Sequence, residues 1–533
     1  MEKLKNKKIL LICKEAFSSP MYFLGKELKS RGNDVAYFFV HNSEVIYNEN
    51  SLFQSKYHYF KKNIDNAKIF DVRDINLEFI ENYKVASYDI NYLNNIEKLY
   101  GKSKNLNQQI MSSQMSSTPY HYRKFYSELT YEQILYWLEL NYKKAEDILD
   151  TFQPDLILDI DTAEIQRTIL NEICSVKNIP YINLEYPRYE SWVIPTFNLG
   201  LEPEDFFKKE YEKNLTEDLS SEIKIIEEFN AQDKIMAKIY KNSATSSYSY
   251  SYSFSRSVVK FLRDVYATFK LYVLEGMLKT QAYNLNLPLI SNPLKKIAFS
   301  NMRDLRKLRV YSKYNKLFQD PVDEDYVYMP LHLIPESTTF VKSPMFVDEL
   351  SIIQAVSKSL PIGWKLYVKE HQAMLGERPL GFYKEVNKLY NVKVVTINYY
   401  KDPKPWIVKS RGVISISGSA AFEARLLGKP SAVFGHVCFN IIEGIQVINS
   451  IRDLISIFRI FENYKHKQSD INSCASYLKT IMGIGVELDI KKLILLSGNK
   501  ISNKELSERE LNTLVIELMN FYFNSYLNII KGI

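Results

Sequence analysis

Short, continuously apolar runs alternate with helical stripes along both ends of this chain. Lys8-Ile-Leu-Leu-Ile-Cys13 follows a charged start and has the pattern of a strand buried on both faces of a parallel sheet. Ser19-Pro20 supplies a cap and a first-turn proline, Met21, Leu24 and Leu28 share one helical face, and Gly32 ends it. Asp34–Val40 predicts a second strand. Residues 42–126 are rich in Tyr and Asn and weakly periodic, with a loop expected over Ser103–Thr118. Thr130-Tyr-Glu-Gln133 spells a capping box that opens a helix to about Asp150. A strand over Pro154–Asp161, a helix over Ala163–Lys177 and a strand over Tyr181–Glu185 follow, the last running into Tyr186-Pro-Arg188. This opening is β-α-β in type but lacks GxGxxG, which argues against a dinucleotide site in the first turn.

From 203 to 320 the pattern is mostly helical. Ser243–Ser255 alternates serine with aromatics and suits a strand or a flexible loop equally. Val258, Phe261, Leu262, Val265, Tyr266 and Phe269 form an apolar stripe, with Lys260, Arg263 and Lys270 off it. Arg303, Arg306, Lys307, Arg309, Lys313 and Lys316 then make a basic cluster. Two readings stand, a membrane-surface element or an interdomain helix with a solvated basic face, and the second is the commoner.

Regularity returns at Tyr326. Strands are predicted over Tyr326–Leu331, Lys365–Val368, Val392–Ile397, Gly412–Ser417 and Ser431–Phe434. Helices alternate with them over Asp348–Leu360, Gly381–Tyr390, Pro405–Lys409 and Ala420–Leu427, which is the signature of a second βα domain. Helical stretches over Ser450–Tyr464 and Ser507–Ile530 close the chain, and Ser507 and Glu510 again have capping-box spacing. The predicted fold class is therefore α/β, with two Rossmann-like domains. Residues 1–202 form the first and 321–500 the second, separated by a helical region over 203–320. A C-terminal helix over 501–533 is expected to pack back on the first domain.

A length of 533 residues exceeds what one core normally serves and fits this division. The net charge of +7 is mild for that length. It argues against a dedicated nucleic-acid binder and is compatible with phosphorylated ligands or an anionic membrane surface. The four cysteines lack CxxC or Cys/His spacing, so a zinc site or disulfide framework is not expected and a reducing cytosol is the simplest home. No apolar run approaches the ~18–20 residues that span a bilayer. A soluble or peripheral protein is expected.

Polar residues collect where the predicted strands stop. Ser415-Ile-Ser-Gly-Ser-Ala-Ala-Phe-Glu423 turns from strand to helix at Gly418. Ser417, Ser419 and the free N–H groups of the helix start would make a phosphate cradle, and Glu423 lies one turn on, suited to ribose hydroxyls. The alternative is an ordinary helix capped by Ser419. Lys369 and His371 end another strand and can neutralise a phosphate, with His371 also a candidate proton donor. His332 and Glu336 follow the strand before it as cleft-lining candidates, with a buried structural histidine as the lesser reading of His332. In the first half, Asp159, Asp161 and Glu185 reach one sheet edge. They are candidates for acid–base work, and Asp159 or Asp161 for capping the next helix instead.

Pro330-Leu-His332 with Pro335-Glu336, Gly363-Trp-Lys-Leu-Tyr-Val-Lys-Glu-His371, and Ser417-Gly-Ser-Ala-Ala-Phe-Glu-Ala424 with Gly428-Lys-Pro430 resemble, in order and spacing, bacterial capsule and surface-polysaccharide biosynthesis proteins. Kdo transferases of capsule assembly belong to that group, and sialyl- and polysialyltransferases are more distant relatives. The resemblance covers about residues 325–450. It implies a GT-B glycosyltransferase, with acceptor on the first domain and nucleotide sugar on the second. Lys369 and His371 match the motif that contacts the donor phosphate, Ser417 and Ser419 the serine-bearing loop, and Glu423 the glutamate of the family's segment. Gln372 stands where the family usually has proline. The implied donor is a CMP-activated ulosonic or nonulosonic acid such as Kdo, pseudaminic or sialic acid. The implied acceptor is a surface polysaccharide or lipid-linked glycan at the cytoplasmic face of the inner membrane. No cofactor, metal or nucleic acid is implied. Alternatives are a nucleotide-sugar 2-epimerase of the same architecture and a non-catalytic capsule-assembly scaffold.

Overall fold

The computed structural model describes residues 5–14, 18–41, 56–84, 87–101, 105–112, 129–162, 164–235, 254–269, 297, 301, 316–334, 337–371, 374, 378, 380–396, 399–400, 402–495 and 506–530. The chain builds two sheets, each with the strand order of a doubly wound α/β fold. The first contains β1 (Lys8–Lys14), β2 (Asp34–His41), β3 (Lys68–Asp71), β4 (Leu156–Leu158), β5 (Tyr181–Glu185) and β6 (Trp192–Thr196). The second contains β7 (Tyr326–Pro330), β8 (Lys365–Lys369), β9 (Val392–Val395), β10 (Gly412–Ser415), β11 (Ser431–Val433) and β12 (Ile445–Val447). A last short strand, β13 (Val486–Glu487), returns to the first sheet.

Read along the sheets, the orders are β3-β2-β1-β4-β5-β6-β13 and β9-β8-β7-β10-β11-β12. The second sheet is wholly parallel. The first is parallel from β3 to β5, with β6 and β13 added antiparallel. Strand order reverses direction between β1 and β4 in one sheet and between β7 and β10 in the other. Such switch points leave a crevice at the carboxyl ends of the strands, where ligands bind in open α/β sheets. Both domains are thus Rossmann-like, and together they form a GT-B-like fold with extra helices between them and at the C-terminus.

The apolar runs form strands because only a sheet covered on both faces can bury them continuously. Ile9–Cys13 of β1 and Val327–Met329 of β7 are fully enclosed. Helix Tyr131–Phe152 begins with the expected capping box, Thr130 accepting from the Gln133 N–H and Gln133 accepting from the Thr130 N–H. Among the described residues of the weakly periodic stretch, the structure shows β3 and four helices, Lys56–Asn63, Arg73–Asn82, Ile90–Tyr100 and Leu106–Met111. The last lies inside the expected loop and is started by Asn105, whose side chain accepts from the Gln108 N–H. Tertiary packing supplied what periodicity did not.

Helix Glu508–Ile530 packs Leu518, Phe521 and Tyr522 into one core with Ile9, Leu11 and Leu158 of the first domain. The Tyr522 hydroxyl donates to the Asp159 carbonyl at 2.6 Å. Helices Asp205–Asn214 and Ser220–Ala231 lie instead against helix Gln468–Ile484 of the second half, sharing a core with Phe422 and Phe439. Tyr477 from Gln468–Ile484 donates to the Pro187 carbonyl at 3.0 Å and so fastens the loop after β5 to the second domain. The basic residues Arg303, Arg306, Lys307, Arg309 and Lys313, and most of the Ser243–Ser255 tract, lie outside the described residues.

Candidate functional site

The carboxyl ends of β7, β8 and β10 meet at the second switch point, and each carries a residue singled out from the sequence. His332 follows β7, Lys369 ends β8 with His371 two residues on, and Ser417-Gly418-Ser419 follows β10. His332 Nε2 accepts the Ser417 N–H at 3.3 Å, bridging the reversal directly. Because a backbone N–H can only donate, the ring proton sits on Nδ1, which faces Glu349 Oε1 at 3.7 Å. His332 is buried, with Nε2 engaged by the Ser417 N–H and Nδ1 left without a hydrogen-bond partner among the described residues. The structure gives it the geometry of a brace between strand ends. Gly418 is required by proximity, since a Cβ there would lie 2.7 Å from Ser415 Oγ and 3.1 Å from His332 Nε2.

The cradle also differs from expectation. The Ser417 hydroxyl points inward to Thr339 Oγ1 at 3.5 Å. Ser419 has helical backbone angles, makes no side-chain cap, and donates its hydroxyl to Glu423 Oε1 at 2.9 Å. Both hydroxyls are thus engaged within the protein, and helix Ala420–Leu426 is only two turns long. Positive charge in the site comes from Lys369 and, across the domain boundary, from Arg188.

Lys369 is half-buried, and burial pushes its ammonium down to about 8, against the opposing pull of Asp402 and Glu423. Burial raises the Glu423 carboxyl, and Asp402 adds to that, while Ser419, Arg188 and Lys369 work the other way. Arg188 occupies the left-handed region at φ 68° with an exposed side chain, on the loop that Tyr477 holds. That backbone is costly for a non-glycine residue and persists only where surroundings fix it. Asp402 caps helix Pro403–Val408 through the Lys404 N–H and also accepts from the Ile235 N–H.

Beneath the histidines lies a fully buried ionic group. Arg378 pairs with Glu349, pairs with Glu370 at 2.7 Å, and donates to the His332 carbonyl at 2.8 Å. Glu370 further accepts from the Tyr383 hydroxyl at 2.7 Å and the His371 N–H at 2.6 Å. Glu349 accepts from the His332 N–H at 2.8 Å. Burial would raise the Glu349 carboxyl, yet Arg378 and His332 carry it below its ordinary range, whereas in Glu370 burial prevails over Arg378. This group locks the two strand ends in register. Burial, and then the neighbouring His332 and Arg378, push His371 down to about 4, so its imidazole is neutral at pH 7. A charged His371 is not preformed. Glu336 and Gln372 lie outside the described residues.

The first switch point holds a comparable cluster. Arg167 is fully buried and pairs with Asp159 at 2.7 Å, with Glu164, and with Asp161 at 3.8 Å. Asp159 also accepts from the Tyr181 hydroxyl and the Ile160 N–H, and no part of it is exposed. Buried and fully partnered, Asp159 has the geometry of a structural carboxylate at the sheet edge. Neither Asp159 nor Asp161 caps the next helix, whose N-cap position is Glu164. Asp161 keeps a partly exposed carboxylate, 3.4 Å from Lys14. Glu185 reaches the other domain, pairing with Lys342 at 2.7 Å in a buried bridge.

Glu349, Arg378, Tyr383, Asp402 and Arg188 carry much of this arrangement and were not assigned roles from the sequence. A buried charge leaves no periodic trace, and only Pro187 hinted at a fixed turn before Arg188.

No family model and no curated protein matches the chain. Solved structures with a similar arrangement include the β-Kdo 2,7-transferase KpsC of Thermosulfurimonas dismutans, at 13% identity over 62% of this chain and 80% of that one, TM-score 0.28. UDP-GlcNAc 2-epimerase of Methanocaldococcus jannaschii, in complex with UDP-GlcNAc and UDP, is 12% identical over 89% and 99%, TM-score 0.27. A UDP co-structure of MnaA from S. aureus is 12% identical over 94% and 99%, TM-score 0.26. With likeness this loose, the fold assignment rests on the strand orders themselves.

Proposed function

We propose that this protein is a GT-B glycosyltransferase that takes a nucleotide-sugar donor at the second switch point and an acceptor hydroxyl at the first. The observation that carries the reading is that Lys369, His371 and Glu423 gather at the strand reversal of a wholly parallel sheet, near enough to Arg188 of the other domain for its charge to act on Glu423. Lys369 and Arg188 supply charge where the departing phosphate becomes more negative, the place where fixed charge lowers a barrier most. Glu423 suits the ribose hydroxyls. His371 enters as a neutral imidazole, and an arriving phosphate, being anionic, raises its proton affinity and prepares it to donate. Among the first domain's carboxylates, Asp161 suits the acceptor base best, lying at the switch point with part of its carboxylate exposed. Glu185 suits a cross-domain tie.

A CMP-activated ulosonic or nonulosonic acid is the donor we favour, on the motif resemblance, with a surface-polysaccharide or lipid-linked acceptor. A thermal-shift panel of CMP, UDP, GDP and dTDP tests this. A shift with CMP that is lost in Glu423→Ala supports it. A UDP preference, with epimer rather than glycan product, replaces transfer by epimerisation. No shift with any nucleotide overturns the site.

A further inference from the structure

Helix Phe254–Phe269 stands apart from the cores. Phe254, Val259, Phe261, Leu262, Tyr266 and Phe269 are each between 45% and 73% exposed. Among the described residues, no apolar side chain of this helix belongs to any of the five hydrophobic cores. At about 100° per residue, its apolar positions fall within an arc of roughly 160°, while Lys260 and Arg263 fall on the opposite side with Asp264 as the one acid. Thr268 is buried and Lys260 and Asp264 are half-buried, so the polar side is the one turned partly toward the protein, while the apolar side faces water. The expected interdomain helix would bury that arc.

We propose that this helix is a membrane-surface element that lies in the interface of an anionic bilayer. Three features select lipid over a protein groove. The arc is wide and mixed in shape, carrying three phenylalanines and a tyrosine, which suits a deformable acyl boundary. The opposite face is basic, which complements anionic headgroups, and the chain as a whole carries +7. Among the described residues, no helix is long and apolar enough to cross a membrane, so attachment would be at the surface. The inference goes beyond the donor site and does not depend on it, because lying on a bilayer requires neither nucleotide nor transfer.

The full chain is sedimented with vesicles of phosphatidylcholine, with and without phosphatidylglycerol. Wild type is expected to bind the anionic vesicles at least about tenfold more tightly than the neutral ones, with a loss of at least about tenfold in Phe261→Asp/Leu262→Asp. Arg263→Glu weakens the anionic preference. Because these side chains are exposed, the variants should melt like wild type and keep any nucleotide-induced shift. Val259→Trp gives an independent reading, since its emission moves to the blue on anionic vesicles if the helix inserts. Absence of wild-type binding, unchanged binding in the double variant, or an unmoved tryptophan signal overturns the proposal. So does a wild-type dimer that the double variant dissociates without any vesicle binding, which would make a second copy the occupant.

Discussion

Lys369→Met isolates the electrostatic cost built into the donor site. The ammonium falls from an ordinary 10.5 to about 8 on folding, even with Asp402 and Glu423 helping to hold its charge. At about 1.4 kcal/mol per pH unit, that difference penalises the folded state by about 3.5 kcal/mol at pH 7, where the residue is charged whether folded or not. Methionine keeps the apolar stem and removes the charge. The variant should therefore be more stable than wild type by up to about 3.5 kcal/mol in urea unfolding at pH 7, the pull of Asp402 and Glu423 being already contained in the lowered value. The sign with pH follows from the lowered value. Between about 8 and 10.5 the unfolded chain holds a proton that the folded chain has released, so wild-type stability rises with pH there and the gap to the variant closes. Donor affinity should move the other way. Nucleotide binding to wild type weakens as pH rises through 8, and in Lys369→Met it is weak and flat across that window. Calorimetric titration with the nucleotide that gives the largest thermal shift reads both. A variant that is less stable than wild type, or one that keeps wild-type affinity and pH dependence, refutes the reasoning.

Arg378→Met strands Glu349 and Glu370 without their shared counter-charge and should cost about 3–5 kcal/mol in urea unfolding at pH 7. The deficit should shrink toward pH 5, because the orphaned carboxyls take up protons more readily than in wild type; a deficit constant with pH would contradict the ionic account. Gly418→Ala places a methyl against Ser415 and His332, and an overpacking cost of about 1–3 kcal/mol should accompany a loss of donor affinity, read by the same titration. Asp161→Asn should lower kcat by about 10²–10⁴ with little change in melting, as for loss of a general base. Asp159→Asn should show the reverse, a stability loss of roughly 3 kcal/mol from the partner left in Arg167, with turnover in the surviving folded fraction little changed.

Much of the order of elements was legible, apart from residues 42–126, strands β6, β12 and β13 and helix Gln468–Ile484. Both halves announce their strands as short apolar runs and their helices as stripes with caps, and Thr130 and Ser507 make the bonds their spacing predicts. Lys369, His371 and Glu423 were legible too, since polar residues directly after a buried strand arrive at the carboxyl edge whatever else the fold does. Other parts were decided only in three dimensions. The sequence does not reveal that His332 turns Nε2 to Ser417, that the Ser417 and Ser419 hydroxyls turn inward, or that Asp159 is closed off by Arg167 and Tyr181. Each outcome depends on partners between 4 and 85 residues away. Local pattern reports which face of an element is apolar. It carries no term for which buried charge finds its counter-charge, because that is settled by the distance between strand ends that only the assembled sheets define. Arg188 shows the same limit: its place near Glu423 exists because Tyr477, from the far end of the chain, fixes the loop that bears it.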